Sequence, residues 1–272
     1  MKKWIKYFYL LFISLIIIAF ITQYDEIKKV FYLILKADIK LLILPIIFIC
    51  FSFLMISMAY KSLLKSIGYD VSLFKFFRLS IVMTSLNSLI PSMGIAGHTA
   101  IFHSLKNHHN VEEGKIISTI TIYTLALLSS FMSIFFVALI WFLATVKLNI
   151  VDLIMTSFIA IFLIIIYLSY LLLKNKNKLL SIIIKIKDLI NKIFHAKLTD
   201  NPIKKLLSEF YEGSSIINKN KKLFLLPFIL MLLKNIGDIL SIYFIFLSLR
   251  VNANIFIIIF GIAAGVVLSF IT

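Results

Sequence analysis

The chain has 272 residues, of which 61% are hydrophobic, and it carries a formal net charge of +16. A soluble domain of this length cannot bury so large an apolar fraction, so the composition predicts an all-α, polytopic membrane protein. Most aromatic residues lie within apolar runs instead of on a basic soluble face, which argues against nucleic-acid binding. The single cysteine, Cys50, excludes an intramolecular disulfide and a cysteine-based metal site.

The first part of the chain predicts two spanning helices with an interfacial helix between them. Residues 4–22 follow a basic start and are long enough to cross a ~30 Å hydrocarbon core, and no cleavage motif follows them, so we expect an uncleaved span. Residues 25–40 mix charges with apolar residues at helical spacing, which predicts an amphipathic helix in the interface. Residues 41–58 form the second predicted span, and residues 60–78 a polar, basic linker.

Residues 79–97 begin as an apolar run and then break. The residues of the break are Asn87, Pro91, Ser92, Gly94 and Gly97. Proline removes a backbone donor, and glycine permits close backbone approach. Irregular backbone is tolerated at membrane depth only where protein or water satisfies its polar groups. The local sequence leaves two interpretations open: a re-entrant hairpin lining a polar cavity, or a short spanning helix followed by an interfacial loop.

The second part of the chain predicts four more spans. They are residues 116–145, 150–173, 223–249 and 254–271. The prediction is therefore a single integral membrane domain, residues 1–272, with about six spanning helices, one possible re-entrant hairpin and interfacial amphipathic helices. Because the last apolar segment has no polar flank, we expect the C-terminal part of the protein to be missing.

The largest polar segment, residues 174–222, carries twelve lysines and four acidic residues. Its apolar residues fall on one helical face: Ile182, Ile186, Leu189, Ile190 and Ile193. Lysines occupy much of the remaining surface, among them Lys185, Lys187 and Lys192. This pattern is typical of a helix lying on an anionic leaflet, so we expect anionic phospholipids as partners.

The distribution of lysine separates the two interpretations of residues 79–97. Lysine and arginine in short loops mark the cytoplasmic side of a membrane. A basic N-terminus inside also places residues 60–78 inside, after two spans. The basic segment 174–222 then lies inside only if residues 79–97 enter and leave on the same side. We therefore expect a re-entrant hairpin, in a plasma-membrane protein with a cytoplasmic N-terminus.

Lys234 and Asp238 lie four residues apart on one face of a predicted spanning helix. A charge at the centre of a bilayer costs at least ~2.5 kcal/mol, so such groups are candidates for a functional site. Two interpretations stay open. The residues line a polar cavity together with the hairpin turn, or they form a structural ion pair that fixes helix packing.

No other motif indicates catalysis, a cofactor or a metal. The chain contains no G-x-S-x-G, no Walker loop and no paired carboxylates suited to glycosyl or acyl transfer. The four histidines of residues 98–109 match no metal-ligand spacing. Gly261 and Gly265 form a small-residue stripe, which we interpret as intramolecular helix packing.

The run at residues 87–97 resembles the N-x-x-x-P-S-x-G-x-x-G signature of the lysylphosphatidylglycerol synthase transmembrane region, a flippase-like membrane domain family. The helix with Lys106, the following Glu113 and the helix around Asp238 are also similar to that family. One departure is that many members carry Gly-Glu and an arginine after the turn. Here His98 and His103 stand in that neighbourhood, so an anion-binding arginine is not carried over.

The resemblance implies lipid translocation, and it leaves two alternatives. The favoured hypothesis is an integral membrane flippase that moves a phospholipid or an aminoacylated phosphatidylglycerol between leaflets. The enzymatic alternative is the membrane part of a phosphatidylglycerol lysyltransferase, which requires a soluble transferase domain beyond residue 272 or on a separate chain. The third hypothesis is a non-catalytic membrane scaffold. A homo-oligomer is compatible with each of them.

Overall fold

The computed structural model of the chain describes residues 28, 32–90, 92, 94–145, 175–194, 199–219 and 221–269. The described residues form helices joined by short turns, without a strand, and this confirms the all-α membrane class. The predicted spans 4–22 and 150–173 lie outside the described residues, as does Pro91.

Eight helices with defined bounds follow one another along the described chain. They are α1 (Ile39–Ser66), α2 (Leu73–Leu89), α3 (Ile95–His109), α4 (Glu113–Thr145), α5 (Lys176–Phe194), α6 (Asp200–Lys219), α7 (Lys221–Ser248) and α8 (Ile255–Ser269). Three of them, α1, α4 and the Phe224–Ser248 part of α7, are long and apolar enough to cross a membrane.

Two predicted boundaries differ from the structure. The interfacial helix predicted over residues 25–40 is interrupted, because Asp38 is the N-cap of α1 and its carboxylate accepts a hydrogen bond from the Lys40 amide at 2.9 Å. The second span extends beyond residue 58 to Ser66. Its added turns are stabilised by Leu63 and Leu64, which are fully buried in the main apolar core.

The centre of the bundle is the long antiparallel contact between α1 and α7. Gly237 of α7 lies so close to α1 that an added Cβ would come within 2.8 Å of the Ser52 hydroxyl. That hydroxyl donates to the backbone oxygen of Lys234 at 3.2 Å. Farther along, the rings of Phe48 and Phe244 stack with their centroids 5.6 Å apart. A small residue on each helix therefore permits the two long helices to touch near the middle of α7.

Helix α4 is held at two levels by helices that run parallel to it. Near its middle, the Asn235 side chain of α7 donates to the buried Ser130 hydroxyl at 2.8 Å. At its start, α6 approaches so closely that a Cβ at Gly114 would collide with Glu209 and stand 2.5 Å from the Leu206 carbonyl oxygen. The Glu209 carboxylate accepts from the Gly114 amide at 3.0 Å, which satisfies a donor of the first turn and places an anion at the helix N-terminus.

Part of the basic segment 174–222 therefore packs against the helical bundle. Its first half forms α5, and its second half forms α6, which docks on α4. Sequence reasoning missed this docking. Its signal is the small-residue pattern of Gly114 and Ser118 on α4 facing Gly213 and Ser214 on α6, where the two serine hydroxyls lie 3.0 Å apart and buried.

Helices α2 and α3 form a hairpin whose two outer ends lie at the same end of the bundle. They contain 17 and 15 residues, fewer than the ~20 that a full crossing needs. Just before α2, the Tyr69 ring faces the ammonium of Lys115 at the start of α4, with Nζ 5.8 Å from the ring centroid. Burial first, and then the charge of Lys75 near the start of α2, lowers the pKa of His109 at the end of α3. Lys106 also forms an ion pair with Glu113 at the start of α4, at 2.5 Å. The outer ends of α2 and α3 therefore lie together, and entry of the hairpin into a membrane stays a prediction.

The α4–α6 contact predicts that an added methyl group destabilises the protein more at Gly114 than at Gly213. Gly114→Ala places a methyl group against backbone and side-chain atoms of α6, so we expect it to destabilise the protein by about 1–3 kcal/mol. Gly213→Ala is the matched control on the same interface, because its Cβ would lie 3.2 Å from the Ser118 side chain and at an ordinary 3.6 Å from the Lys115 Cα. Thermal unfolding of both variants in detergent tests this. An equal or smaller loss of melting temperature for Gly114→Ala would contradict the contact.

Candidate functional site

Residues of the turn between α2 and α3 cap the start of α3. The Ser92 hydroxyl accepts from the Ala96 amide at 3.0 Å, and the Ser92 carbonyl accepts from Ile95 at 3.0 Å. Gly94 adopts φ = 86°, the left-handed region that glycine occupies without strain, and it directly precedes α3. Ser92 therefore caps the start of α3, and Gly94 permits the sharp change of chain direction just before it.

Asn87 and Gly97 join the two helices of the hairpin. The Asn87 side-chain oxygen accepts from the Gly97 amide at 2.8 Å. A Cβ at Gly97 would stand 2.5 Å from the Met83 carbonyl oxygen, so only glycine permits this approach. Together with Ser92, Asn87 satisfies all three free amides of the first turn of α3.

His98 connects the hairpin to the spanning helices. Its Nδ1 lies 3.1 Å from the hydroxyl of Tyr60 on α1, and its Nε2 lies 3.5 Å from the hydroxyl of Thr124 on α4. The ring also meets Tyr123 edge to face, with centroids 5.9 Å apart. Sequence reasoning treated His98 only as a departure from the family signature. Its position immediately after Gly97, at the tightest point of the hairpin, was the available signal.

Lys234 and Asp238 form the predicted ion pair, with Nζ and carboxylate oxygen 2.6 Å apart on α7. The Lys234 side chain is 19% exposed and that of Asp238 is 39% exposed, so the carboxylate is the more open of the two. The Lys234 ammonium also lies 3.4 Å from the side-chain oxygen of Asn235. The two charges of the pair thus neutralise each other, and the more exposed Asp238 carboxylate is accessible to a further partner.

Buried side chains of α4 contact both α7 and the hairpin side of the bundle. Next to Lys234, the Asn235 side chain of α7 donates to the Ser130 hydroxyl of α4. Nearer the start of α4, the Tyr123 ring stacks on Tyr60 with centroids 4.3 Å apart, and Tyr60 in turn contacts His98 of α3. The ion-pair helix and the hairpin are thus both attached to α4. Their role in binding stays a prediction.

The three lysines assigned to the anionic-lipid surface are not equivalent in the structure. Lys185 and Lys192 are exposed. Lys187 instead forms ion pairs with Asp188 at 2.8 Å and with Asp200 at 2.5 Å. Hydrogen bonds to Asp188 and then Asp200 raise the pKa of Lys187, and the bond from Lys187 lowers the pKa of Asp200. Lys187 therefore connects α5 to the start of α6.

Long apolar helices, three of them able to span a membrane, packed with a helical hairpin define a polytopic α-helical membrane protein. The chain belongs to the lysylphosphatidylglycerol synthase TM region family, whose match covers residues 8–272. The resemblance seen at residues 87–97 is thereby confirmed.

A relative of this chain is the UPF0104 membrane protein MJ1595 of Methanocaldococcus jannaschii. It is 24% identical over 242 residues, which cover 88% of this chain and 71% of that protein. No solved structure matches the chain.

The hydrogen bond from Gly97 to Asn87 predicts a measurable cost when its acceptor is removed. Asn87→Leu leaves the Gly97 amide without a partner, and we expect a loss of about 1–3 kcal/mol in the free energy of unfolding. Ser88→Ala is the matched control, because Ser88 bonds only to Thr84 of its own helix at an exposed position. Melting temperatures in detergent give the comparison. A control as damaging as Asn87→Leu would show that the bond does not hold the hairpin.

Proposed function

We propose that the protein moves a phospholipid, or an aminoacylated phosphatidylglycerol, between the leaflets of the plasma membrane. The observation that carries the proposal is the partly exposed Lys234–Asp238 ion pair within a spanning helix, in a bundle whose helices α1 and α4 also contact His98 of the hairpin. Charged groups within a spanning helix are expensive, and those that are retained commonly mark the path of a polar cargo. Family membership supports the same conclusion, because the family is defined by a lipid-related membrane region.

The ion pair suits a head group that carries both signs of charge. The phosphate of a phospholipid is an anion, and an amino or aminoacyl group adds a cation. Lys234 would meet the phosphate while Asp238 would meet the ammonium, so each charge released from the pair gains a new partner. The exchange avoids leaving an unpaired charge at low dielectric, which is the costly step in moving such a group across a bilayer.

The enzymatic alternative follows from the words of the family description, which name a synthase. On that alternative the chain is the membrane part of a phosphatidylglycerol lysyltransferase, and a soluble transferase acts with it. The two proposals differ in the expected measurement. A translocase moves labelled lipid when it is reconstituted alone, whereas a membrane part that only delivers lipid to a transferase does not.

The proposed topology has a cytoplasmic N-terminus, with both ends of the hairpin and the start of α5 also cytoplasmic. Single cysteines at Ser72, Lys106 and Lys176, each in a Cys50→Ser background, test it with a membrane-impermeant thiol reagent on intact cells. We expect no labelling of the three sites until the membrane is opened. Labelling of the Lys176 site from outside would exclude the re-entrant topology, because a full crossing by residues 79–97 reverses that side.

The translocation proposal predicts that Asp238→Asn slows transport by about tenfold or more, because it leaves Lys234 unpaired at low dielectric. The assay uses full-length protein in liposomes that carry a fluorescent aminoacylated or anionic lipid, and it follows accessibility in the outer leaflet over time. Asp70→Asn, in the exposed turn between α1 and α2, is the matched control and is expected to keep the parent rate. Melting temperature is measured alongside for both variants. Transport by Asp238→Asn at the parent rate would refute the proposal.

A further inference from the structure

Helix α5 presents two different faces, and the described residues cover one of them. The covered face contacts α6, where Lys176 lies over the Tyr211 ring and Lys187 reaches Asp200. On another face Ile186, Leu189 and Ile193 are 51%, 56% and 59% exposed, and their spacing of three and four residues places them in one stripe. This stripe, residues 186, 189 and 193, is called the apolar stripe below.

A row of lysines borders the apolar stripe. Lys178, Lys185 and Lys192 are spaced by seven residues, and all three are exposed. Residues seven apart drift by only ~20° around a helix, so the three ammonium groups follow one line along α5. Lys187, by contrast, lies on the side that faces α6 and is neutralised there by two carboxylates.

We propose that α5 docks on the anionic inner leaflet through the apolar stripe and the row Lys178, Lys185 and Lys192, with Lys187 excluded from the lipid contact. The aliphatic stripe suits the acyl-chain region of a leaflet, and the adjacent line of lysines suits the layer of lipid phosphates above it. Charge complementarity favours this occupant over a second copy of the chain, because two copies would bring the same lysine rows together. The inference is independent of lipid transport and adds Lys178 to the surface.

The experiment uses the full chain in a Cys50→Ser background, with a fluorophore on a cysteine introduced at Leu189. Reconstituted vesicles contain phosphatidylcholine with or without phosphatidylglycerol, and either a nitroxide-labelled lipid or aqueous iodide as the quencher. Docking predicts that phosphatidylglycerol increases quenching by the nitroxide lipid about twofold or more and decreases quenching by iodide. Added salt should reverse part of this change, because the lysines are exposed.

Two variants that remove the same number of charges test whether the lysine row of α5, and not the overall positive charge, binds the lipid. Lys185→Gln with Lys192→Gln should remove most of the response to phosphatidylglycerol, and adding Lys178→Gln should remove the remainder. Lys204→Gln with Lys205→Gln removes the same charge from exposed positions on α6 and should leave the response intact.

Three outcomes would overturn the inference. The first is quenching that is indifferent to phosphatidylglycerol, and the second is an equal loss in both variants. The third is protection of the fluorophore from iodide that disappears when the protein is diluted in lipid. Protection of that kind would show that a second copy of the chain covers the apolar stripe. None of these measurements depends on transport activity, so a failure here is distinct from failure of the proposed function.

Discussion

The structure depends on the requirement that backbone amides at membrane depth find partners within the protein. At the turn before α3 the chain leaves regular helix, and a new helix begins with three unpaired amides. Ser92 satisfies two of them, and Asn87 reaches from the preceding helix to satisfy the third. The start of α3 therefore meets, with partners from the protein itself, the requirement that membrane depth would impose.

That pairing also fixes where the hairpin lies. Once Asn87 bonds to Gly97, α2 and α3 must approach within backbone contact, and Met83 occupies the space that a side chain at residue 97 would need. His98 is then directed toward Tyr60 and Thr124 and so toward α1 and α4. The same requirement that stabilises the turn therefore brings the hairpin against α1 and α4, the two helices that also contact α7.

Much of this could be predicted from the sequence, because the constraints are local. A Pro/Ser/Gly break after a short apolar run, and a lysine and an aspartate four residues apart, indicate their structures without knowledge of distant contacts. The distribution of lysine and arginine over the loops also predicts that both ends of the hairpin are cytoplasmic, and this topology stays a prediction. The docking of α6 on α4 could not be predicted in this way. It depends on Gly114 and Glu209, ninety-five residues apart, whose complementary shapes appear only after the chain has folded.

Gly261 and Gly265 show that a local sequence pattern can also predict a contact that the described residues do not make. The sequence predicts that the two glycines pack against a neighbouring helix, yet no described residue lies where either added Cβ would be. Small residues permit a close approach but do not require one. The interpretation as intramolecular packing is therefore not supported by the part of the chain that the structure describes.

The double attachment of α4 has a mechanical consequence. Gly114 is held by Glu209 of α6 and Ser130 by Asn235 of α7, and only one residue separates those two helices in the chain. A shift of α4 along its own axis would have to break both contacts at once. The hairpin meets α4 through His98, which contacts Thr124 and the Tyr123 ring, and through the exposed ion pair at Glu113. Helices α6 and α7, adjacent in the chain, thus hold α4 at two levels along its length.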